Sequence, residues 1–557
     1  MDNSQIADAF SLLSKLIDIH GENSFKAKSY AIAAYTIEKL PVALSALPDE
    51  KIFTIKGIGD TIGKKIMEMR QSGKLNALEI YLQKTPPGVL EMLHIKGLGP
   101  KKIAVIWKEM GLETIGELLY ACNENRLLLF KGFGEKTQQN VKTYIEFYLR
   151  SKGSYLYAGI EPYALSMQQQ LQKQFPNHRF VHTGAFARQL ETIDKLEWVS
   201  TAGNTELEQF FSALPFSVTE KNESGISFKT EDNIVLTFYA ARDENFGSIL
   251  FHTCCSGAFL NEWEKRFPSA QVYSSEEQVF KAAGVPYLPP CLREKETIIA
   301  AAMNKPSLQL IQPEDVKAVI HSHSNWSDGR QSIEEMARAA IEKGFEYLVI
   351  SDHSKSAFYA NGLKEDRVKE QHLYIDNLNE QLRPFKIFKS IESDILNDGS
   401  LDYPNQVLAT FDLVIASVHA NLKMTEDKAM LRLLTAIQNP YTTILGHMTG
   451  RLLLSREGYP VDHKTLIDAC VEHHVVIELN AHPRRLDMDR RWIDYALEKG
   501  AVISIDPDAH HTEGYNDIRY GVLAAQKAGL TRQSNLSSYS LQEFEFFLQK
   551  RKEKKGI

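Results

Sequence analysis

At 557 residues the chain exceeds what one hydrophobic core organises, so three or more domains are expected, and 43% hydrophobic with 24% charged residues is ordinary for a soluble globular protein. No apolar run reaches membrane-spanning length, Met1 leads into polar Asp2-Asn3-Ser4-Gln5, and five cysteines without a Cys-x-x-Cys pair point to a reduced, cytoplasmic chain. A formal net charge of −7 argues against wholesale coating of nucleic acid, yet residues 51–108 hold 11 Lys/Arg against 4 Asp/Glu, a local basic patch.

Residues 3–40 read as a helical hairpin, with Ile6, Phe10, Leu13, Leu16 and Ile17 on one face and a second helix from Phe25 to Leu40. A phrase then recurs three times: Ile55-Lys56-Gly57-Ile58-Gly59-Asp60, Ile95-Lys96-Gly97-Leu98-Gly99-Pro100 and Phe130-Lys131-Gly132-Phe133-Gly134-Glu135. Each leads into a lysine-bearing amphipathic segment, with Lys64 and Lys65, Lys101 and Lys102, and Lys136. Gly-hydrophobic-Gly between helices permits a tight turn and leaves amide N–H groups bare at a helix start, a nest for a phosphate oxygen. Nearby lysines add charge without reading sequence. The phrase resembles the helix-hairpin-helix motif of proteins that bind the DNA backbone; one copy is a common turn, three copies are a pattern. The third, with Glu135 and Gln138 beside its turn, also fits a purely structural role.

The hairpins and the segments after them resemble bacterial X-family DNA polymerases that carry a C-terminal polymerase-and-histidinol-phosphatase (PHP) domain, across essentially the whole chain. The resemblance implies a multidomain fold: a helical DNA-binding domain at 1–85, a fingers-like helical domain with further helix-hairpin-helix motifs at 86–150, an α+β palm and thumb at 151–303, a linker at 304–314, and a C-terminal α/β barrel of (β/α)7 type at 315–557. It also implies a palm with a Gly-Ser-x-Arg-Arg phrase, a Gly-Asp-x-Asp pair and a third Asp, which together hold two Mg²⁺ ions. Here the first phrase stands as Gly184-Ala185-Phe186-Ala187-Arg188. The paired acids fall at Lys195 and Glu197 (Asp194 lies one place early), the third at Thr237, and the nucleotide-contacting turn at Cys254-Cys255-Ser256. A lysine in place of a carboxylate repels the cation it should hold, so loss of polymerisation is expected. Lys65 falls where related eukaryotic enzymes place a Schiff-base lysine, but a plain phosphate-contacting role is the expected one.

From residue 316 the chain alternates strands and helices. Strand candidates are 316–320, 346–351, 386–391, 412–418, 442–446, 475–480 and 501–506; helical segments include 332–343, 425–437, 462–473, 489–499 and 520–529. This order implies parallel strands with crossover helices, and chemistry at the C-terminal strand ends. Those ends carry His321, His323 and Asp328, then His353, Glu392, His419, His447, Asp508 and His510. His-x-His alone also fits an ordinary loop pair; six strand ends bearing His, Asp or Glu do not fit chance.

By resemblance these nine are the full PHP ligand set for two or three divalent ions. His321, His323, Glu392 and Asp508 would hold one, Glu392 with His419 and His447 a second, and Asp328, His353 and His510 a third. Imidazole–carboxylate ligation suits Mn²⁺ or Zn²⁺, or Fe²⁺, over Mg²⁺ or Ca²⁺. Glu392 and Asp508 are the expected catalytic ligands, with Arg485, Arg451 and Lys355 as phosphate contacts and Asp352, Asp394, Asp506 and His511 as groups orienting ligands. The implied activity is metal-dependent phosphoester hydrolysis on DNA, of 3′–5′ exonuclease or end-processing type in DNA repair; the sequence does not give the oligomeric state, and a monomer is favoured. Two alternatives stay open: a small-molecule phosphatase of the histidinol-phosphate type, and a non-enzymatic DNA-binding scaffold.

Overall fold

A computed structural model describes residues 1–123, 126–151, 153–231, 233–304, 309–454 and 457–557; part of the expected linker, 305–308, lies outside them. The chain forms two compact units, Met1–Lys152 and Gly153–Ile557.

The first unit is helical. Helices α1 (Asn3–His20) and α2 (Ser24–Glu38) pack as a hairpin; Asp2 and Gln5 close a capping box at the start of α1, and Gly21 ends it in the left-handed conformation. The three glycine phrases lead into α3 (Asp60–Ser72), α4 (Pro100–Lys108) and α5 (Glu135–Ser151). One apolar cluster runs from Ile6 to Ile145, so residues on both sides of the expected boundary at 85 share a core.

The second unit contains two large sheets besides a two-stranded antiparallel ribbon that pairs Tyr155–Leu156 with Thr192–Ile193. The first is mixed and five-stranded, built from β1 (Phe180–Thr183), β2 (Lys195–Ser200), β3 (Phe216–Asn222), β4 (Gly225–Thr230) and β5 (Val235–Ala240), in the order β1-β2-β5-β4-β3. Only β2 and β5 run parallel, with Glu197 opposite Thr237. Trp198, Phe211, Phe228 and Phe238 fill the core beneath it. The second sheet has seven parallel strands in sequential order: β6 (Ala318–Val319), β7 (Tyr347–Ile350), β8 (Lys386–Asp394), β9 (Leu413–Ser417), β10 (Thr442–Leu445), β11 (Val476–Asn480) and β12 (Ile503–Asp506). A parallel bridge between Ser322 and Ala509 draws the first and last strand ends together, making a nearly closed barrel. Helices pack outside it, as α6 (Ile333–Glu342) does through Ile333, Met336, Ala337 and Ala340 after a Ser332–Glu335 capping box.

Ion pairs join the mixed sheet to the barrel. Arg490 reaches Glu191 at 2.9 Å and Glu294 at 3.6 Å, and Arg519 donates to both Glu161 oxygens from its Nη2 and Nη1 at 2.5 and 2.6 Å.

Candidate functional site

The strand ends of a parallel barrel face one way, so side chains far apart in sequence meet there. Glu392, on β8 and buried, is the hub. Its carboxylate lies 2.9 Å from His447, 3.0 Å from His353, 3.1 Å from His419, 3.4 Å from His321 and 3.6 Å from His323. Asp508 follows β12 and lies 3.1 Å from His323 and 3.6 Å from His321. Asp328 sits 3.4 Å from His510 and 3.7 Å from His353. All nine expected ligands therefore come together. Asp508 adopts φ +52°, a left-handed conformation that costs a non-glycine residue about 1–3 kcal/mol and persists where surroundings impose it.

The donor atoms fall into overlapping groups, each within 4.8 Å: His323, Asp328, His353 and His510; His321, His323 and Asp508; His353, Glu392 and His419. This differs in detail from the sequence expectation, because His323 and His353 each stand between two groups. Among the described residues, His321 Nε2, His353 Nδ1 and Glu392 Oε2 are buried with no aligned hydrogen bond, the condition of atoms shaped for a cation and costly without one.

The electrostatics agree. Burial favours neutral imidazole, but Glu392 and Asp394 outweigh it and lift His419 to about 10; Asp328 and Asp508 likewise lift His510 to about 9. His323, buried and facing His510 and His353, is pushed down to about 3. Burial works against the charged form of Glu392, yet His419, His321 and His353 hold it well below the usual carboxylate range. So many ionised carboxylates in a dry site demand positive charge, which protons or dications can supply; a metal-binding imidazole must give its proton up. The donor set fits divalent ions.

Surrounding groups aim the ligands. Asp394 accepts from His419 Nδ1, turning its Nε2 toward Glu392. Asp352 accepts from the Ser324 amide at 2.8 Å and from the Ser324 and Ser327 hydroxyls at 2.6 and 2.5 Å, so it shapes the loop carrying Asp328. Asp506 accepts from Ser504 at 2.6 Å, and burial together with the Glu478 charge raises it well above the carboxylate range. His511 instead accepts from the Gly514 amide and caps its own turn.

Sequence reasoning missed Glu478, in the middle of β11. Its Oε1 holds His321 Nδ1 and its Oε2 accepts the His447 amide, both at 2.5 Å. Asn480, two residues on, donates to Asp508 at 3.2 Å. A carboxylate inside the apolar run Val475-Val476-Ile477-Glu478-Leu479 was the available signal.

The expected phosphate contacts divide. Arg485 lies at the rim, its Nε 3.7 Å from Asp508. Arg451 donates to the Arg485 and Leu486 carbonyls and pairs with Asp489 at 2.6 Å, so its guanidinium ties down the loop. Lys355 is paired with Glu365 at 2.7 Å.

In the mixed sheet, Lys195 Nζ stands 2.7 Å from Glu197, which also accepts from Tyr239 at 2.7 Å. Thr237, beside them, bonds Ser227 at 3.0 Å, and Asp194 is turned to Ser154. Gly184, at φ +64°, leaves space that a Cβ would lose, 1.8 Å from Glu197 Oε2; Ala185 follows it. Cys254 and Cys255 are buried, and Ser256 caps a helix.

At the hairpins, Gly57, Gly97 and Gly132 adopt φ +95°, +90° and +96°, the conformation the turn requires. No side chain caps the starts of α3 or α4. Asp60 places an acid in the first turn of α3 and Glu135 in that of α5, whereas α4 has none. Lys101 is exposed, and Lys102 donates to the Gly97 carbonyl at 3.3 Å. The Gly97–Gly99 turn thus leads into a helix start whose first turn carries no acid to oppose an anion. Lys64 is exposed and Lys65 half-buried; Gly59, Gly99 and Gly134 have open space where a Cβ would stand.

Comparison with known proteins adds to this geometry. The helix-hairpin-helix domain matches residues 1–75, a helix-hairpin-helix tandem 89–143, and the PHP domain 320–482. The chain is 32% identical to the DNA polymerase/3′-5′ exonuclease PolX of Bacillus subtilis, over 99% of this chain and 100% of that protein. A probable phosphatase of Thermoanaerobacter sp. strain X514 is 27% identical over 43% of this chain and 98% of its own length. One of Caldanaerobacter subterraneus is 30% identical over 34% of this chain and 74% of its own. No described helix is long and apolar enough to cross a membrane.

Proposed function

The chain belongs to the PolX family of DNA polymerase/3′-5′ exonucleases, and from that premise we propose that it is a metal-dependent DNA phosphoesterase of 3′–5′ exonuclease or end-processing type. The observation that carries this reading is Glu392, a buried carboxylate with five imidazoles within 3.6 Å. Manganese or zinc suits the mixed nitrogen and oxygen donors. When bound, such ions would neutralise phosphate oxygens and acidify the attacking water.

The chain's own residues do the positioning. Glu478 and Asp394 lock the tautomers of His321 and His419 so that each Nε2 faces the centre. Arg485, beside Asp508, is the cation placed to meet a substrate phosphate. Segments 1–85 and 86–150 grip the DNA backbone, the mixed sheet within 151–303 braces the barrel, and 315–557 hydrolyses. Nucleotidyl transfer is lost in this reading, because the positions for metal-binding acids hold Lys195, Glu197 and Thr237, with the Lys195 ammonium against the remaining carboxylate.

A 5′-labelled primer on a template, incubated with Mn²⁺, should shorten from its 3′ end, and added deoxynucleoside triphosphates should not lengthen it. Phosphate release from a phosphorylated metabolite with the primer intact would favour a small-molecule phosphatase instead. For the grip, Lys101→Ala with Lys102→Ala should weaken duplex binding and reduce the slope of log affinity against log salt by roughly two. An unchanged slope in a fluorescence anisotropy titration would remove the second hairpin from the interface.

A further inference from the structure

The barrel has a second concave feature at the opposite ends of its strands. A cavity of about 370 Å³ lies beneath the starts of β11 and β12, closed by helix α7 (Leu541–Lys555). That volume lies within the range of small-molecule pockets. Val475, Val502 and Phe547 give it apolar walls, and Arg551 and Lys554 supply cationic groups.

Arg551 is unusual: its residue is only 5% exposed, and no carboxylate pairs with it among the described residues. Its Nε donates to the His474 carbonyl at 3.1 Å and its Nη2 to those of Pro440 and Thr442, which leaves Nη1 with no hydrogen bond among the described residues. A buried guanidinium normally has an anion beside it, because carbonyl dipoles recover only part of its lost hydration. Here burial alone pushes Arg551 down to about 10. Exposed Lys554 has no ion-pair partner among the described residues, whereas Lys550 is neutralised by Glu553 at 2.8 Å. The positive field is felt nearby: burial, then Lys554, Lys555 and Arg551, depress His474.

We propose that this cavity binds a nucleoside monophosphate, its phosphate on Arg551 Nη1 and Lys554 and its base against Val502 and Phe547. A guanidinium with a free N–H beside an ammonium matches a phosphate monoester, and an aromatic ring with branched aliphatic walls matches the flat face of a base.

The test is calorimetric titration of the full-length, metal-loaded protein with deoxyadenosine 5′-monophosphate, which also accounts for any binding at the metal centre. Wild type should bind one equivalent more than the Lys554→Glu protein, or bind that equivalent at least tenfold more tightly, and Lys554→Arg should restore it. Lys554 lies on an exposed helix face at the strand ends opposite the metal centre, so 3′-end shortening should be unaffected in either variant. Equal stoichiometry and affinity in wild type and Lys554→Glu would overturn the site. Inorganic phosphate competing as tightly as the mononucleotide would overturn its ligand class.

Discussion

Glu392→Gln should lose at least one equivalent of divalent metal per chain and lower 3′-end hydrolysis on the order of 10³-fold or more. The magnitude follows from geometry. One carboxylate within 3.6 Å of five imidazoles is the negative centre that all three donor groups adjoin. An amide of the same shape keeps the volume but removes the charge, and it turns one acceptor into an N–H that faces imidazole nitrogens or cations. Several kcal/mol of transition-state stabilisation depend on ions held in such a site, and each 1.36 kcal/mol is tenfold in rate. Circular dichroism should stay as in wild type, because the barrel's apolar core is untouched. Elemental analysis beside the hydrolysis assay decides the matter: full metal content with activity within tenfold of wild type would falsify the placement of the chemistry here.

Glu478→Gln should weaken metal binding 10- to 100-fold, although Glu478 is not among the nine expected ligands. Its two oxygens serve different donors, Oε1 the His321 ring and Oε2 the His447 amide. Glutamine has one acceptor oxygen, so one of these contacts must fail. If the ring contact fails, His321 is no longer held with Nε2 toward Glu392 and Asp508; if the amide contact fails, the turn carrying His447 loosens. Glu478 also contributes to the raised pKa of Asp506, so the substitution should bring that group back toward the ordinary carboxylate range. Chelator competition measures the affinity directly. A change below threefold would show that His321 is oriented without Glu478.

The barrel was readable because its pattern is local. Seven short apolar runs alternate with amphipathic helices, and the runs end in polar residues that a buried strand would otherwise avoid. Strand ends of a parallel barrel share one face, so listing their His, Asp and Glu residues already names the cluster. Glu478 escaped because it lies within a strand buried on both sides, where periodicity does not mark the face toward the centre. The loop contacts of Arg451 were hidden for a related reason: position after a strand end places a backbone, not the direction of a long side chain.

The hairpins divide the same way. Gly-hydrophobic-Gly fixed three turns, and the structure places their first glycines at positive φ as such turns need. That the first and third helix starts carry an acid was also visible, but the contact of Lys102 with the Gly97 carbonyl was not.

By itself, the chain of residues determined the helical hairpins, the seven-stranded barrel and the gathering of His, Asp and Glu at its strand ends, since each depends on backbone preference or on polarity at a definite point along a strand. Only tertiary structure decided that His323 and His353 stand between donor groups, that Glu478 steers His321, that Lys195 neutralises Glu197, and that Arg551 lies buried with no anion beside it among the described residues. Those facts are distances between side chains remote in sequence, and the packing of separate elements sets them.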